Sequence, residues 1–121
     1  MADSPKRKRS VLVLEDEPFI AIMLEEELEA LGIHVIGPIN NMKSALLLAE
    51  TPDLDGALLD LSINGAYATE VAEKLLRRGV PFIFVTGHEP PAGLRYRDVK
   101  TLRKPFTEIE LRAALLVLWD R

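Results

Sequence analysis

The sequence predicts an α/β protein: an open, doubly wound parallel sheet of five strands with helices on both faces. Three observations carry this. Short apolar runs alternate five times with stretches of helical spacing, and repeated βα alternation builds parallel sheets. The runs Val11-Leu12-Val13-Leu14, Gly56-Ala57-Leu58-Leu59 and Phe82-Ile83-Phe84-Val85 are apolar without a break, as strands buried on both faces are. Residues able to do chemistry follow the runs: Glu15 and Asp16 the first, Asp60 the third, Thr86 the fourth, Lys104 the fifth. That is the carboxyl edge, where open α/β sheets hold their ligands.

Residues 1–9 are polar, with Pro5 and the basic run Lys6-Arg7-Lys8-Arg9, and read as a disordered basic arm. Residues 10–121 form one domain. Ser10 to Leu14 is the first strand. After Glu15-Asp16-Glu17, Pro18 opens a helix at the position where its missing N–H costs nothing. Ile20, Leu24, Leu28 and Leu31 recur at helical spacing and Gly32 closes the helix, with Glu25, Glu26, Glu27 and Glu29 on its solvated side. Ile33 to Gly37 is the second strand, in which His34 reads as an ordinary strand residue. Pro38 to Asn41 is a loop, and Asn40 or Asn41 caps a helix over Met42 to Glu50, ended by Thr51-Pro52.

Gly56 to Asp60 is the third strand, and Leu61 to Gly65 the loop after it. The next helix covers about 67–78 with Val71, Ala72 and Leu75 inward, and stops at Gly79. Val80 to Thr86 is the fourth strand, with Pro81 tolerated near its start. The stretch 87–98 contains Pro90, Pro91 and Gly93, so the fourth helix is short or irregular, with a turn or two near 94–97. Val99 to Leu102 is the last strand. Thr107-x-x-Glu110 is a capping box opening a helix with Leu111, Ala114, Leu115 and Leu118 on one face, and Trp119 covers the edge of the core. Right-handed crossovers give strand order 2-1-3-4-5, the flavodoxin-like topology.

At 121 residues the chain is one domain with a proper core. The 48% apolar and 28% charged residues are those of a globular protein. Absence of cysteine excludes disulfides and thiolate metal sites. No apolar run reaches the ~18 residues of a spanning helix, and the four apolar residues after the basic run are too few for a signal peptide. We therefore expect a cytoplasmic protein with no membrane association. The net charge of −4 argues against DNA binding by the domain. The basic run 6–9 matches nuclear-localisation or polyanion-binding patterns only as loosely as any short basic arm does.

The chemistry lies in the combination. Singly, each candidate has a plain structural use: Asp60 as a loop cap, Thr86-Gly87 as a turn, Lys104-Pro105 as a helix approach, Glu15-Asp16-Glu17 as an acidic helix start favoured by the dipole. Together they converge on one sheet edge. Carboxylates crowded there raise one another's pKa, and a hard divalent cation relieves the repulsion. Mg2+ takes oxygen ligands and keeps several waters: Asp16 and Asp60 suit direct ligation, Glu15 a contact through water, and the Ser62 backbone carbonyl completes the protein's share. A carboxylate is also a nucleophile toward phosphorus. The cation and the Lys104 ammonium supply positive charge, and the Thr86 hydroxyl and the N–H groups after Asp60 supply donors, which is most of what phosphoryl transfer needs.

From Ser10 to the C-terminus the chain resembles a response-regulator receiver domain of two-component signalling. The resemblance rests on Glu15-Asp16, Asp60, Thr86 and Lys104-Pro105-Phe106, and implies Asp60 as the phospho-acceptor, Mg2+ as the cofactor and a cis peptide bond before Pro105. Pro81-Phe82-Ile83-Phe84-Val85-Thr86-Gly87-His88 is similar to the Pro-Phe-x-Phe-x-Thr-Gly stretch of a subgroup that is often stand-alone and works with HWE-type and related histidine kinases. His88 departs from that subgroup's usual Tyr or Gly. Thr101 stands where most receivers carry the aromatic residue whose rotation reports phosphorylation. An alternative switch is the ordering of the loop around 89–93 by hydrogen bonds from Thr86 to a new phosphoryl group. Equal hydrogen exchange across 87–99 with and without beryllofluoride would exclude it.

The implied function is a single-domain response regulator. A histidine kinase donates a phosphoryl group to Asp60, and the added charge biases a surface used by a partner. That partner is a downstream effector, a phosphotransfer protein, or a second copy docked through helix 4, strand 5 and helix 5. Such a domain catalyses only its own phosphorylation and hydrolysis and is not an enzyme in the metabolic sense. Ser62 and His88, each two residues beyond a site residue, tune the acyl-phosphate lifetime. Two alternatives stand beside this reading. The first is a phosphatase or phosphotransferase working through an aspartyl-phosphate; dehalogenase-like hydrolases of this kind place a second Asp two residues after the nucleophile as acid/base, where this chain has Ser62. An unphosphorylated adaptor would keep only the fold.

Overall fold

A computed structural model describes residues 8–87 and 96–119. The strands are β1 (Ser10–Leu14), β2 (His34–Ile39), β3 (Gly56–Leu59), β4 (Ser62–Ile63), β5 (Ala66–Tyr67), β6 (Phe82–Thr86) and β7 (Lys100–Arg103). The helices are α1 (Pro18–Ala30), α2 (Met42–Leu48), α3 (Thr69–Arg78) and α4 (Glu108–Trp119). Five strands form a parallel sheet in the order β2-β1-β3-β6-β7. This is the expected doubly wound order. The short β4 and β5 make a separate antiparallel hairpin.

Strand side chains alternate between the two faces, and each face has its own core. Leu12, Leu14, Ala57, Leu59, Phe82 and Phe84 pack with Ala45, Val71 and Leu75 of α2 and α3. Val11, Val13, Leu58, Ile83 and Val85 pack with Leu24, Leu28, Leu111 and Leu115 of α1 and α4. Continuous apolar strands are thus explained: both faces need them. The capping box is formed, with Thr107 N–H donating to Glu110 Oε1 at 2.8 Å and Glu110 N–H to Thr107 Oγ1 at 3.1 Å. At the amino edge of the sheet the Trp119 indole N–H donates to the Asp55 carbonyl at 2.8 Å. Arg9 lies over the ring, its Cζ 4.2 Å from the centroid.

Four local expectations need correction. First, β2 does not end at Gly37 but runs to Ile39, because a bulge after Ile36 re-registers the strand so that Ile39 pairs with Leu14. Gly37 makes the bulge possible: its φ is +105°, and a Cβ there would lie 2.8 Å from Ile39 N and 2.9 Å from the Val13 carbonyl. The Gly37–Pro38 peptide bond is cis. Second, Glu27 is not on a solvated side. It is buried on α1 and accepts a hydrogen bond from Arg112 Nε of α4 at 3.0 Å. Leu31 is exposed instead, because it caps α1 beyond the last buried turn. Third, the loop after Asp60 is largely hairpin. Asn64-Gly65, both with positive φ, form its turn, as Asn-Gly pairs do in tight hairpins. Fourth, the helix that follows starts at Thr69 rather than 67 because Ala66 and Tyr67 belong to that hairpin. The expected basic arm falls mainly outside the described residues. So do the fourth helix and His88, apart from a short turn starting at Tyr96, where Val99 N–H donates to the Tyr96 carbonyl.

Candidate functional site: an acidic pocket closed by a lysine

The neighbouring strands β1 and β3 each end by delivering acid to the carboxyl edge. Asp60 N–H donates to the Leu14 carbonyl at 2.8 Å, which sets Asp60 beside Glu15. Glu15 N–H donates to the Ile39 carbonyl at 2.9 Å, so the β2 bulge fixes the start of the loop that carries Glu15 and Asp16. One carboxylate oxygen from each of Glu15, Asp16 and Asp60 can be chosen so that all lie within 4.8 Å of one another. Glu15 and Asp60 are buried, and Asp16 is half-buried.

Lys104 arrives from β7. Its N–H donates to the Thr86 carbonyl at 3.0 Å, which locks the end of β7 to the end of β6. Its ammonium reaches Glu15 Oε2 at 2.9 Å, Glu17 Oε2 at 2.8 Å and Asp60 Oδ2 at 3.2 Å. The Lys104–Pro105 bond is cis, as the resemblance implied. Ser62 N–H donates to Asp60 Oδ1 at 3.2 Å, and Asn64 N–H to Asp16 Oδ2 at 3.1 Å. Thr86 is fully buried at the end of β6. Every site residue read from the sequence within the described segments therefore lies at one sheet edge, and Lys104 touches two of them, Glu15 and Asp60, directly.

Two participants were not singled out from sequence. Glu17 was read as part of an acidic helix start, yet it is a ligand of the Lys104 ammonium. Asn64 was read as loop. Its signal was the Asn-Gly dipeptide, which marks a hairpin turn and so a backbone N–H held in a fixed direction.

Burial pushes the Glu15 carboxyl up to about 7, helped by the neighbouring Asp60 and opposed by the Lys104 ammonium and the Glu17 N–H. Burial alone would lower the Lys104 ammonium, but its contacts with Glu17, Glu15 and Asp60 win and raise it above the ordinary lysine value. The Glu15 shift has a sign. A carboxyl whose folded pKa exceeds its unfolded value binds more protons in the native state over that interval. Its contribution is complete below about 4.5 and lost as pH rises through about 7. In chelator, the thermal midpoint is expected to fall between pH 5 and pH 8 in wild type, and this fall to be smaller in Glu15→Gln. Circular-dichroism melts on the two proteins measure it.

A five-stranded doubly wound sheet with converging acids and a lysine at its carboxyl edge defines a class: α/β proteins with a charged pocket at the strand ends. The family follows from sequence. Residues 11–116 match the family model described as "Response regulator receiver domain", and the chain belongs to that family. It is 31% identical over 110 residues to the "Phyllosphere-induced regulator PhyR" of Methylorubrum extorquens. That alignment covers 87% of this chain and 41% of PhyR, so the chain spans less than half of that relative's length. Among solved structures it is similar to the solution structure of SdrG from Sphingomonas melonis Fr1: 38% identity, TM-score 0.81, 93% of this chain and 98% of that one covered. The BeF3-activated conformation of SdrG, from Pseudomonas melonis Fr1, gives 39% identity and a TM-score of 0.76, with 92% and 96% covered.

Proposed function

We propose that the protein is a phosphorylation switch: Asp60 accepts a phosphoryl group from a histidine kinase in the presence of Mg2+, and the modified domain engages a partner. The observation that carries this is the contact of one ammonium, Lys104, with both Asp60 and Glu15 in a pocket where three carboxylates converge. A lone acidic cluster is common. A cluster with a near-buried lysine on its central member is built for an anionic guest.

The donors fit a hard cation. They are all oxygen, and the buried Glu15 Oε1 has no hydrogen-bond partner among the described residues. Asp16 and Asp60 would hold the ion directly with the Ser62 carbonyl, and Glu15 through water. When bound, Mg2+ supplies charge neutralisation to the pocket and to the incoming phosphoryl oxygens.

The rest is the work of the chain. An Asp60 carboxylate oxygen forms a bond to phosphorus as the bond from phosphorus to the kinase imidazole nitrogen breaks. The imidazole leaves with the electron pair and takes a proton from solvent. Lys104 would move from neutralising the free carboxylate to pairing with a phosphoryl oxygen, and the Thr86 hydroxyl and Ser62 N–H would donate to others. Hydrolysis of the acyl phosphate then resets the domain, so it acts as a timer rather than as an enzyme turning over metabolites.

The BeF3-activated conformation of the similar SdrG supports this chemistry. An HWE-type kinase is the proposed donor. The proposed output surface is β7 with α4, where Ile109, Leu116 and Val117 are exposed, for an effector protein, a phosphotransfer partner or a second copy. No helix among the described residues is long and apolar enough to cross a membrane, which fits the proposed cytoplasmic location.

The test is incubation of the purified protein with acetyl phosphate, with and without excess chelator. Intact mass should show one phosphoryl group only when Mg2+ is present, and borohydride reduction should mark Asp60. Uptake at another residue, or full uptake in chelator, would overturn the proposal.

A further inference from the structure

The acids of the pocket are restrained from two sides. Lys104 holds Glu15, Glu17 and Asp60 from the β7 side. The contact to Asp16 comes from the opposite flank: the Asn64 N–H at the hairpin tip, 3.1 Å from Asp16 Oδ2. Asn64 is itself tied down, because its side-chain Nδ2 donates to the Asn40 carbonyl in the β2–α2 loop at 3.1 Å. One residue earlier, at the end of β2, the Ile39 carbonyl accepts from Glu15 N–H. A ring of three hydrogen bonds thus closes through the loop carrying Glu15 and Asp16, the junction of β2 with the loop at Asn40, and the β4–β5 hairpin.

We infer that Asn64 is a positioning residue for the cation site: its side-chain strut to Asn40 holds the hairpin tip so that its N–H fixes Asp16. The inference rests on the Mg2+ reading of the pocket. Two features of Asn64 make the residue type informative. It is exposed, so no demand of the core selects it. Its φ of +52° is one that asparagine, aspartate and glycine accept more readily than other residues. Of these three, asparagine is the one with a side-chain N–H to give to the Asn40 carbonyl. The same hairpin carries Ser62 on β4, whose N–H holds Asp60 Oδ1 and whose carbonyl is an expected ligand. A loosened tip therefore disturbs two ligands at once. Groups that orient ligands commonly matter for metal affinity by tenfold or more.

The experiment compares wild type, Asn64→Gly and Asn64→Asp, all full length. Both variants keep a residue that tolerates this backbone conformation and both delete the donor. The aspartate also adds a negative charge, which by itself favours a cation. Amide NMR in chelator reads the metal-free state, and titration with MgCl2 alone reads affinity. The expected result is faster exchange of the residue-64 amide in both variants, with thermal midpoints unchanged in chelator. Asn64→Gly should also weaken Mg2+ binding by about tenfold, and Asn64→Asp should gain no affinity over wild type despite its extra charge. Mg2+ affinity of Asn64→Gly within about twofold of wild type overturns the inference while leaving the Mg2+ site intact. Tighter binding by Asn64→Asp than by wild type also overturns it, by showing that charge and not position governs the site. A wild-type protein with no Mg2+ response overturns the inference and the cation reading together.

Discussion

Asp60→Asn is expected to take up no phosphoryl group from acetyl phosphate and Mg2+, yet to fold as well as wild type. The first half is chemical: an amide is not a nucleophile toward phosphorus under these conditions, whereas a carboxylate is. The second half comes from the pocket. Asp60 accepts from Ser62 N–H on one oxygen and from Lys104 on the other. An amide keeps one of those bonds and gives up the other, a loss of about 1.5–3 kcal/mol because the lost bond is to a charged group. Against this, removing a charge relieves Glu15, whose raised pKa owes part of its shift to Asp60. In metal-free solution above pH 7 the gain offsets the loss. Thermal midpoints in chelator at pH 8 should then agree within a few degrees, and intact mass should show no adduct. A phosphorylated Asp60→Asn protein would move the acceptor to another side chain.

Phe84→Ala is expected to give the largest loss of stability of any single substitution in the sheet. The ring is fully buried in the middle of β6. It stands edge-on to Phe82 at 5.4 Å and to Tyr96 at 5.6 Å. Its backbone pairs with Leu59 on one side and Thr101 on the other. Truncation of a buried phenylalanine to alanine costs about 3–5 kcal/mol, a large share of the roughly 5–15 kcal/mol that hold a domain folded. Tyr96 would lose its ring partner as well, although its hydroxyl still donates to Glu73 Oε2 at 2.6 Å. Urea titration should show a lower midpoint with an unchanged slope. A shift of less than about 1 kcal/mol would mean that the surrounding rings collapse into the space.

Where a strand lies between two others the sequence spoke plainly, because a strand covered on both faces has to be apolar throughout. β1 and β3 were therefore legible almost to the residue, and β6 except at its start, which falls at Phe82 rather than Val80. β2 was not. It is the outer neighbour of β1, its burial is partial, and its last two residues join the sheet only through a bulge, which depends on how Gly37 packs on Val13. The inner face of α1 was legible from its leucines, but Glu27 was misread because helical spacing reveals which side a residue is on and not what stands opposite. Arg112 is 85 positions further along the chain.

The site shows the same division. Its residues are legible because each ends a strand, and topology then decides which ends are neighbours. The sharing of the Lys104 ammonium among Glu15, Glu17 and Asp60 was not legible. It depends on side-chain reach across β1 and β7, for which no local pattern exists. The strut through Asn64 was not legible: the Asn-Gly pair carries a turn signal, but the segment reads only as a loop, and its contact at Asn40 lies 24 residues away.

The stacking of Arg9 on Trp119, with the indole anchored to Asp55, brings the first and last described stretches of the backbone side by side at the pole of the sheet opposite the pocket. A reporter fused ahead of β1 or behind α4 would therefore emerge at the same place, far from the acidic pocket. A short peptide joining the two ends would make a circularised or permuted protein with its new termini cut elsewhere. Such a rearrangement should leave phosphoryl acceptance untouched, which makes this pole a convenient handle for building sensors from the domain.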